Sequence, residues 1–328
     1  MRVIEWRMRT EDVIRIRFAY SPLMELVLSL ITLRAPREHS AHLPWVRATR
    51  PLVAGLDLAE VYALVPVHGW MADFVSFTPT EPQPDITTEL DTIRRTPPLR
   101  VISDLADTAD VPQEIADRIR ADPRAATARI ADTLESYWDT ALAQHWPSIL
   151  RLLEAEVWRR SKRLADGGLQ ALFDDLHESV SLDGDRLRVA DPVEWSGELT
   201  GTGLTLVPHA MGWPSVRKMT GRLKPWSTDD RYQPMIAYPA RGVATLWETT
   251  PPPPPDALAG LIGRTRATIL LALAEPATTT SLAGRLGLTP GGVSQHLSIL
   301  RASELVTRTR VAGTVLYSRT TRGDALVG

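Results

Sequence analysis

The sequence predicts an α+β protein, mostly helical, in which a large N-terminal body precedes a small C-terminal domain. Three observations carry that expectation. Apolar residues recur at helical spacing through the first two thirds of the body, the period shortens towards two after Gly167-Gly168, and a run of five prolines, Pro251 to Pro255, sets the C-terminal part off from that body. With 328 residues, 44% hydrophobic and 23% charged, the chain has the length and composition of two or three ordinary globular domains. The expected division is a body over 1–250 for sensing or dimerisation, a linker over 251–255, and a terminal domain over 256–328.

Val3 to Met8 and Val13 to Tyr20 alternate around Thr10-Glu11-Asp12 and predict a β-hairpin. Ser21-Pro22 starts a helix to about Leu33 with Leu23, Leu26, Val27, Leu30 and Ile31 on one side. Further helices are expected over 44–53, 56–64 and 70–74, and Asp85 caps one over 86–95 that Pro97-Pro98 stops. Asp110 and Asp122 read as N-caps for helices over 112–120 and from Pro123 onward. Pro123 to Asp166 keeps the strongest helical spacing in the chain. Pro147 must kink or split it, because proline cannot donate to the carbonyl four residues back. This kinked helix is the expected dimer interface; Gly167-Gly168 ends it, and 169–176 reads as a short helix. A hairpin over 179–189 turns at Asp183-Gly184, and 204–207, 235–238 and 243–247 are further strand candidates. The five prolines favour a polyproline II spacer of about 15 Å. A helix is expected beyond it, over 258–273.

Thr280 to Tyr317 parses into helix, turn, helix and hairpin. Thr280 or Ser281 is the expected N-cap of the first helix, Leu282, Ala283, Leu286 and Leu288 give it apolar spacing, and Gly287 closes it. Thr289 caps the second helix with Pro290 in its first turn. Val293, Leu297 and Leu300 fall on one side of that helix, leaving Ser294, Gln295, Ser298 and Arg301 largely on the other. Val306 to Arg310 and Thr314 to Ser318, joined through Ala312-Gly313, complete a winged helix, a fold that can push its second helix into a DNA major groove.

The stretch VSQHLSILR from Val293 to Arg301, with Leu305-Val306 just beyond it, resembles the recognition-helix signature of ArsR-type winged-helix transcriptional regulators, over roughly Ala257 to the C-terminus. The resemblance implies double-stranded DNA as partner. Thr289, Gly291 and Gly292 would lie at the helix start near phosphates, Ser294 and Gln295 would reach base edges, and Ser298 and Arg301 would touch phosphates. Arg308, Arg310 and Arg319 on the wing would meet the flanking backbone or minor groove. His296 matches a family histidine and reads as packed. Where members often carry Ala-Gly before Leu-Val, this chain has Ser303-Glu304; Glu in a left-handed conformation costs about 1 kcal/mol, so the helix–wing junction is where its geometry is expected to depart. The family's cysteine-containing metal box is impossible, since the chain has no Cys.

Charge supports the same partner. From Asp256 onward eight arginines face four carboxylates, a net +4, which leaves −6 for residues 1–255 out of the chain's −2. All ten Trp precede the proline run. Trp70, Trp138, Trp146 and Trp213 are candidate walls of a pocket for a small-molecule effector, with His68, His145 or Arg241 as polar fixings.

Other chemistries find little. His39 and His42 have helical spacing and Asp174, Asp175 and His177 cluster, but neither group completes a metal-ligand set. No GxSxG, Walker loop or HExxH occurs, and GELTGTG at 197–203 opens no helix, so neither catalysis nor a cofactor is expected. With no Cys, no apolar run of membrane-spanning length and no signal-peptide pattern, a cytoplasmic location is the default. The leading reading is a homodimeric regulator of a near-palindromic operator. The alternative is a ligand-binding or enzymatic body whose winged helix docks a protein.

Overall fold

The computed structural model describes the chain apart from Met1, Thr200, residues 222–232 and 248–253, Glu275, Gly287, residues 312–313 and Gly328. Most of the expected proline spacer, Gly287, the Ala312-Gly313 turn and Trp226 therefore lie outside the described residues. The chain divides into two compact units, Met1–Leu153 with Arg163–Ala244, and Glu154–Lys162 with Thr245–Gly328.

The first unit combines a helical layer with two four-stranded sheets. Its helices are α1 (Thr10–Val13), α2 (Pro22–Arg34), α3 (Leu43–Val53), α4 (Ala59–Leu64), α5 (Ile86–Arg94), α6 (Pro98–Asp107), α7 (Gln113–Ala121) and α8 (Pro123–Ala141); α9 (Trp146–Phe173) contributes its two ends. The strands are β1 (Val3–Arg7), β2 (Arg17–Phe18), β3 (Val180–Asp183), β4 (Arg186–Ala190), β5 (Trp195–Glu198), β6 (Thr205–His209), β7 (Arg217–Met219) and β8 (Met235–Pro239). One sheet runs β3-β4-β1-β5 and the other β2-β6-β8-β7. An apolar core including Trp6, Leu172, Phe173, Leu206, Ile236 and Tyr238 joins the two sheets to the end of α9.

Several helix starts are set by their caps. The Ser21 hydroxyl accepts the Met24 N–H, Asp85 accepts from Thr88, and Asp122 from Ala125. Pro147 splits the long helical segment, as its missing donor requires: α8 stops at Ala141 and α9 restarts with Pro147 in its first turn. Gly168 interrupts α9 at φ 68°, ψ −161°, so the expected break there is real. Residues 183 and 186 pair across a two-residue turn at Gly184-Asp185, with Gly184 at φ 61°.

Other expectations are corrected. The N-terminal hairpin does not form. β1 pairs with β4 and β5, β2 joins the other sheet beside β6, and Asp12 between them is fully buried. Its carboxylate accepts N–H groups from Arg9, Gly201 and Gly203, which makes the intervening residues a helical turn. The same bonds account for GELTGTG, whose Gly201 and Gly203 amides serve Asp12. α2 is not one-sided: every residue from Pro22 to Leu33 is buried, so it runs through the core. Pro97-Pro98 both ends α5 and begins α6, because proline suits a helix's first turn as well as it terminates the preceding one. Asp110 takes φ 53° and Pro112 occupies the N-cap of α7. Residues 70–74 and 243–247 hold 3₁₀ turns, at Asp73–Val75 and Val243–Trp247, in place of an α-helix and a strand. α8 is the centre of the helical layer, packing on α3, α4, α5, α6 and α7.

Candidate nucleic-acid interface

From Asp256 the second unit holds α10 (Asp256–Ile262), α11 (Arg264–Ala272), α12 (Thr279–Leu286), α13 (Pro290–Ala302), β9 (Val306–Val311), β10 (Thr314–Arg319) and α14 (Thr321–Val327). The single helix expected over 258–273 is two, because Gly263 at φ 84° breaks it. Ile269, Leu270, Leu273, Leu282, Val293, Leu297, Leu300 and Val306 form the core. It draws on α11, α12, α13 and β9, so the apolar side of α13 is fixed against three other elements.

α12 begins earlier than Thr280 or Ser281 would place it, since Thr278 is the cap and its hydroxyl accepts the Ser281 N–H at 3.0 Å. At its other end the Leu288 N–H returns to the Ala283 carbonyl. Thr289 then caps α13 as its sequence implies, accepting the Gly292 N–H at 3.2 Å with Pro290 in the first turn. Ala277 and Tyr317 exchange both backbone hydrogen bonds at 2.9 Å, tying the α11–α12 connection to β10.

Val293, Leu297 and Leu300 are buried while Ser294, Gln295, Ser298 and Arg301 are exposed, so α13 presents the face its periodicity predicted. Gly291 is exposed, and a Cβ built there would meet nothing within 4 Å; one at Gly292 would lie 3.2 Å from its own cap's hydroxyl. The Ser298 hydroxyl donates to the Ser294 carbonyl at 3.0 Å, so its proton is already engaged. Sequence reasoning passed over Ile299, an apolar side chain 41% exposed on this same face. Its position four residues after Gln295 was the available signal.

On the hairpin, Arg308 opposes Tyr317 and Arg310 opposes Val315. Two residues apart on one strand, the arginines share a face of the sheet, and both are exposed. Arg319 differs: its guanidinium forms an ion pair with Asp324 at 2.8 Å and is only 16% exposed, so it holds α14 to the hairpin.

The junction carries the strain expected of it. Glu304 adopts φ 56°. Its N–H bonds the Arg301 carbonyl at 3.0 Å and the Leu305 N–H bonds the Leu300 carbonyl at 2.9 Å, a Schellman closure of α13. The Glu304 carbonyl accepts from the Thr320 hydroxyl at 2.6 Å and its carboxylate pairs with Arg322. The turn that glycine would ordinarily make is thus formed with glutamate and held in place from α14.

A helix pair joined by a tight turn, with a two-stranded wing after it, is the geometry in place, and residues 261–309 match a helix-turn-helix domain family. The C-terminal segment is an ArsR-type helix-turn-helix domain. Residues 94–243 match a family of unknown function (DUF5937). No curated protein and no solved structure matches the chain. The ArsR-type domain makes the chain a DNA-binding regulator, and among the described residues no helix is long and apolar enough to cross a membrane.

The four tryptophans expected to wall one pocket are dispersed. Trp138 and Trp146 pair edge-to-face, with ring centroids 5.6 Å apart. Trp213 offers its carbonyl to His39 Nδ1 at 2.6 Å, and Trp70 alone of the four lines a cavity of about 540 Å³. Of the expected polar fixings, His68 lines that cavity while Arg241 pairs with Asp175. His145 is not among the lining residues; burial lowers its pKa. His39 and His42 both bond to backbone carbonyls, of Trp213 and Ala210. Asp175 faces Arg163 and Arg241, and His177 faces Ser179.

Proposed function

We propose that the chain works as a homodimer that reads a near-palindromic operator, one α13 per half-site, and that a small molecule bound in the N-terminal unit alters its DNA affinity. The observation that carries the DNA reading is the first turn of α13. Glycine inside a helix costs about 1 kcal/mol relative to alanine. Yet Gly291 stands in open space, without the positive φ that would call for glycine. A bare backbone at a capped helix N-terminus suits close approach of a phosphate, and it precedes Ser294 and Gln295, whose side chains can hydrogen-bond base edges, the glutamine pairing best with adenine.

Two copies are proposed because one α13 and one wing expose few cations, Arg301, Arg308 and Arg310 among them. Typical operator affinity joins two half-sites about 34–36 Å apart on one face of the duplex. No catalytic step is assigned to the N-terminal unit, and the proposed setting is the cytoplasm, where operator DNA is reached.

Selection of bound DNA from a random pool by the full chain tests this reading. Two inverted half-sites about one helical turn apart are expected, with binding that weakens steeply as salt rises. A single unrepeated half-site would remove the dimer. Failure of the intact protein to retain any DNA at low salt would overturn the reading and favour a protein-docking role for the winged helix.

A further inference from the structure

The cavity in the N-terminal unit lies among α2, the segment 67–76, residues 190–193 and strands β7 and β8. At about 540 Å³ it falls in the range of small-molecule sites. Its walls are unusual in one respect: Met24, Met71, Met219 and Met235 all line it, together with Trp70. Thioethers are polarisable, conform to irregular shapes and pack well on aromatic rings.

The charged side chains around this apolar space differ in how directly they are engaged. Asp73 is engaged by Arg100 at 3.2 Å, Asp191 is in contact with the Lys218 ammonium, and Glu38 lies 3.5 Å from His68. Arg217 remains. It is largely withdrawn from solvent and feels the field of Glu38, but among the described residues its guanidinium has no hydrogen bond or ion pair, and its Nε is buried with no acceptor. A guanidinium so placed has its desolvation cost offset only in part, by Glu38 at a distance, until an acceptor bonds it directly. Lys218, next in β7, lies 5.6 Å from the Trp70 ring centroid, which puts a second cation at the aromatic wall.

A cationic ligand would meet Arg217 and Lys218, and a sugar would find too few hydrogen-bonding groups among four methionines. A dianionic phosphate would have one cation already committed to Asp191. We propose that this cavity binds a small organic monoanion, its carboxylate on Arg217 and its aromatic or alkyl body against Trp70 and the methionines. The inference rests on the effector reading above for its biological meaning, but not for its chemistry.

Isothermal titration of the full chain with 3-phenylpropionate and octanoate, each beside its neutral alcohol, tests the site directly. At least one acid is expected to bind at least tenfold more tightly than its alcohol. Arg217→Gln should abolish that preference while leaving alcohol binding within about twofold, and Arg217→Lys should restore part of it. Trp70→Leu, at a partly exposed position, should weaken acid and alcohol alike, which keeps the test decisive if the Arg217 variants fail to fold. Equal affinity for acid and alcohol, or no heat from either acid at millimolar concentration, would overturn the proposal. The effector reading is separated by repeating operator binding with the acid that binds. If the acid binds at Arg217 but operator affinity does not move, the site stands and control of DNA binding by that acid falls.

Discussion

The two parts of this chain solve burial differently. In the N-terminal unit the core contains whole ionisable groups: Glu25 accepts the N–H groups of Ala210 and Met211 at 2.6 and 2.7 Å, and Glu89 accepts the Ser21 hydroxyl and the Leu23 N–H, both at 2.7 Å. His42 and His209 are fully buried in the same unit. From Asp256 onward, among the described residues, the buried polar side chains are Ser281 and Ser318 alone. The first arrangement stitches distant segments together by specific polar contacts. The second is a small apolar core with exposed cations such as Arg301, Arg308 and Arg310 at its surface.

Removing one buried carboxylate should give the largest effect. Glu89→Ala leaves the Leu23 amide and the Ser21 hydroxyl short of an acceptor, and a loss on the order of 3 kcal/mol is expected. All ten tryptophans precede the proline run, and all but Trp158 and Trp247 lie in that unit, so their fluorescence in a urea titration reports mainly on it and not on residues 256–328. A change below about 1 kcal/mol would contradict the role given to Glu89.

Next come the exposed arginines. Arg308→Ala with Arg310→Ala should leave the melting temperature within about 2 °C and weaken operator binding by tenfold or more. The slope of log affinity against log salt should fall by about two per domain if both touch phosphates. A large loss of stability instead would mean that the wing arginines serve the fold.

The pH dependence should separate the parts as well. Burial pushes Glu25 up to about 7 and Glu89 up to about 8 from the ordinary 4.5, so the stability they contribute is complete below pH 4.5 and is lost as pH rises through 7 and 8. Burial pushes His42 down to about 4 and His209 down to about 3 from 6.5; their contribution is present above pH 6.5 and is lost as pH falls through 4 and 3. Tryptophan-detected stability should therefore peak at about pH 5 to 6, and the alkaline loss should shrink in Glu25→Gln. A flat profile from about pH 5 to 8 would argue against burial of those carboxylates.

The smallest effect is expected at the junction. Glu304→Gly relieves a left-handed glutamate worth about 1 kcal/mol and removes a pair to Arg322 that is exposed on both sides and contributes little. Hydrogen exchange at the Leu305 amide should slow slightly. Faster exchange would show that the link to α14 outweighs the strain.

The same contrast explains what could be read in advance. The ArsR-type domain is built from neighbours: Thr289 caps the helix it precedes, Val293, Leu297 and Leu300 keep one period, and β9 pairs with β10 next to it. The N-terminal unit is assembled from parallel and distant pairings, β1 with β5, β2 with β6 and β6 with β8, which leave no turn signature between partners. β7, three residues long, has no periodicity to detect, and it supplies Arg217 and Lys218 to the cavity. Asp12 looks like a loop acid until the glycines nearly two hundred residues away are placed against it. Caps and periods are local facts; buried charge partners are not.

The complete burial of α2 has a cost outside the native state. Leu26 to Leu33, LVLSLITL, is eight residues without charge, proline or glycine, and it includes the β-branched side chains that favour strands. Once the surrounding helices separate, this segment is exposed to pairing with copies of itself. Heating should therefore precipitate the N-terminal unit and make its unfolding irreversible, even though Glu25 and Arg34 flank the segment with charge.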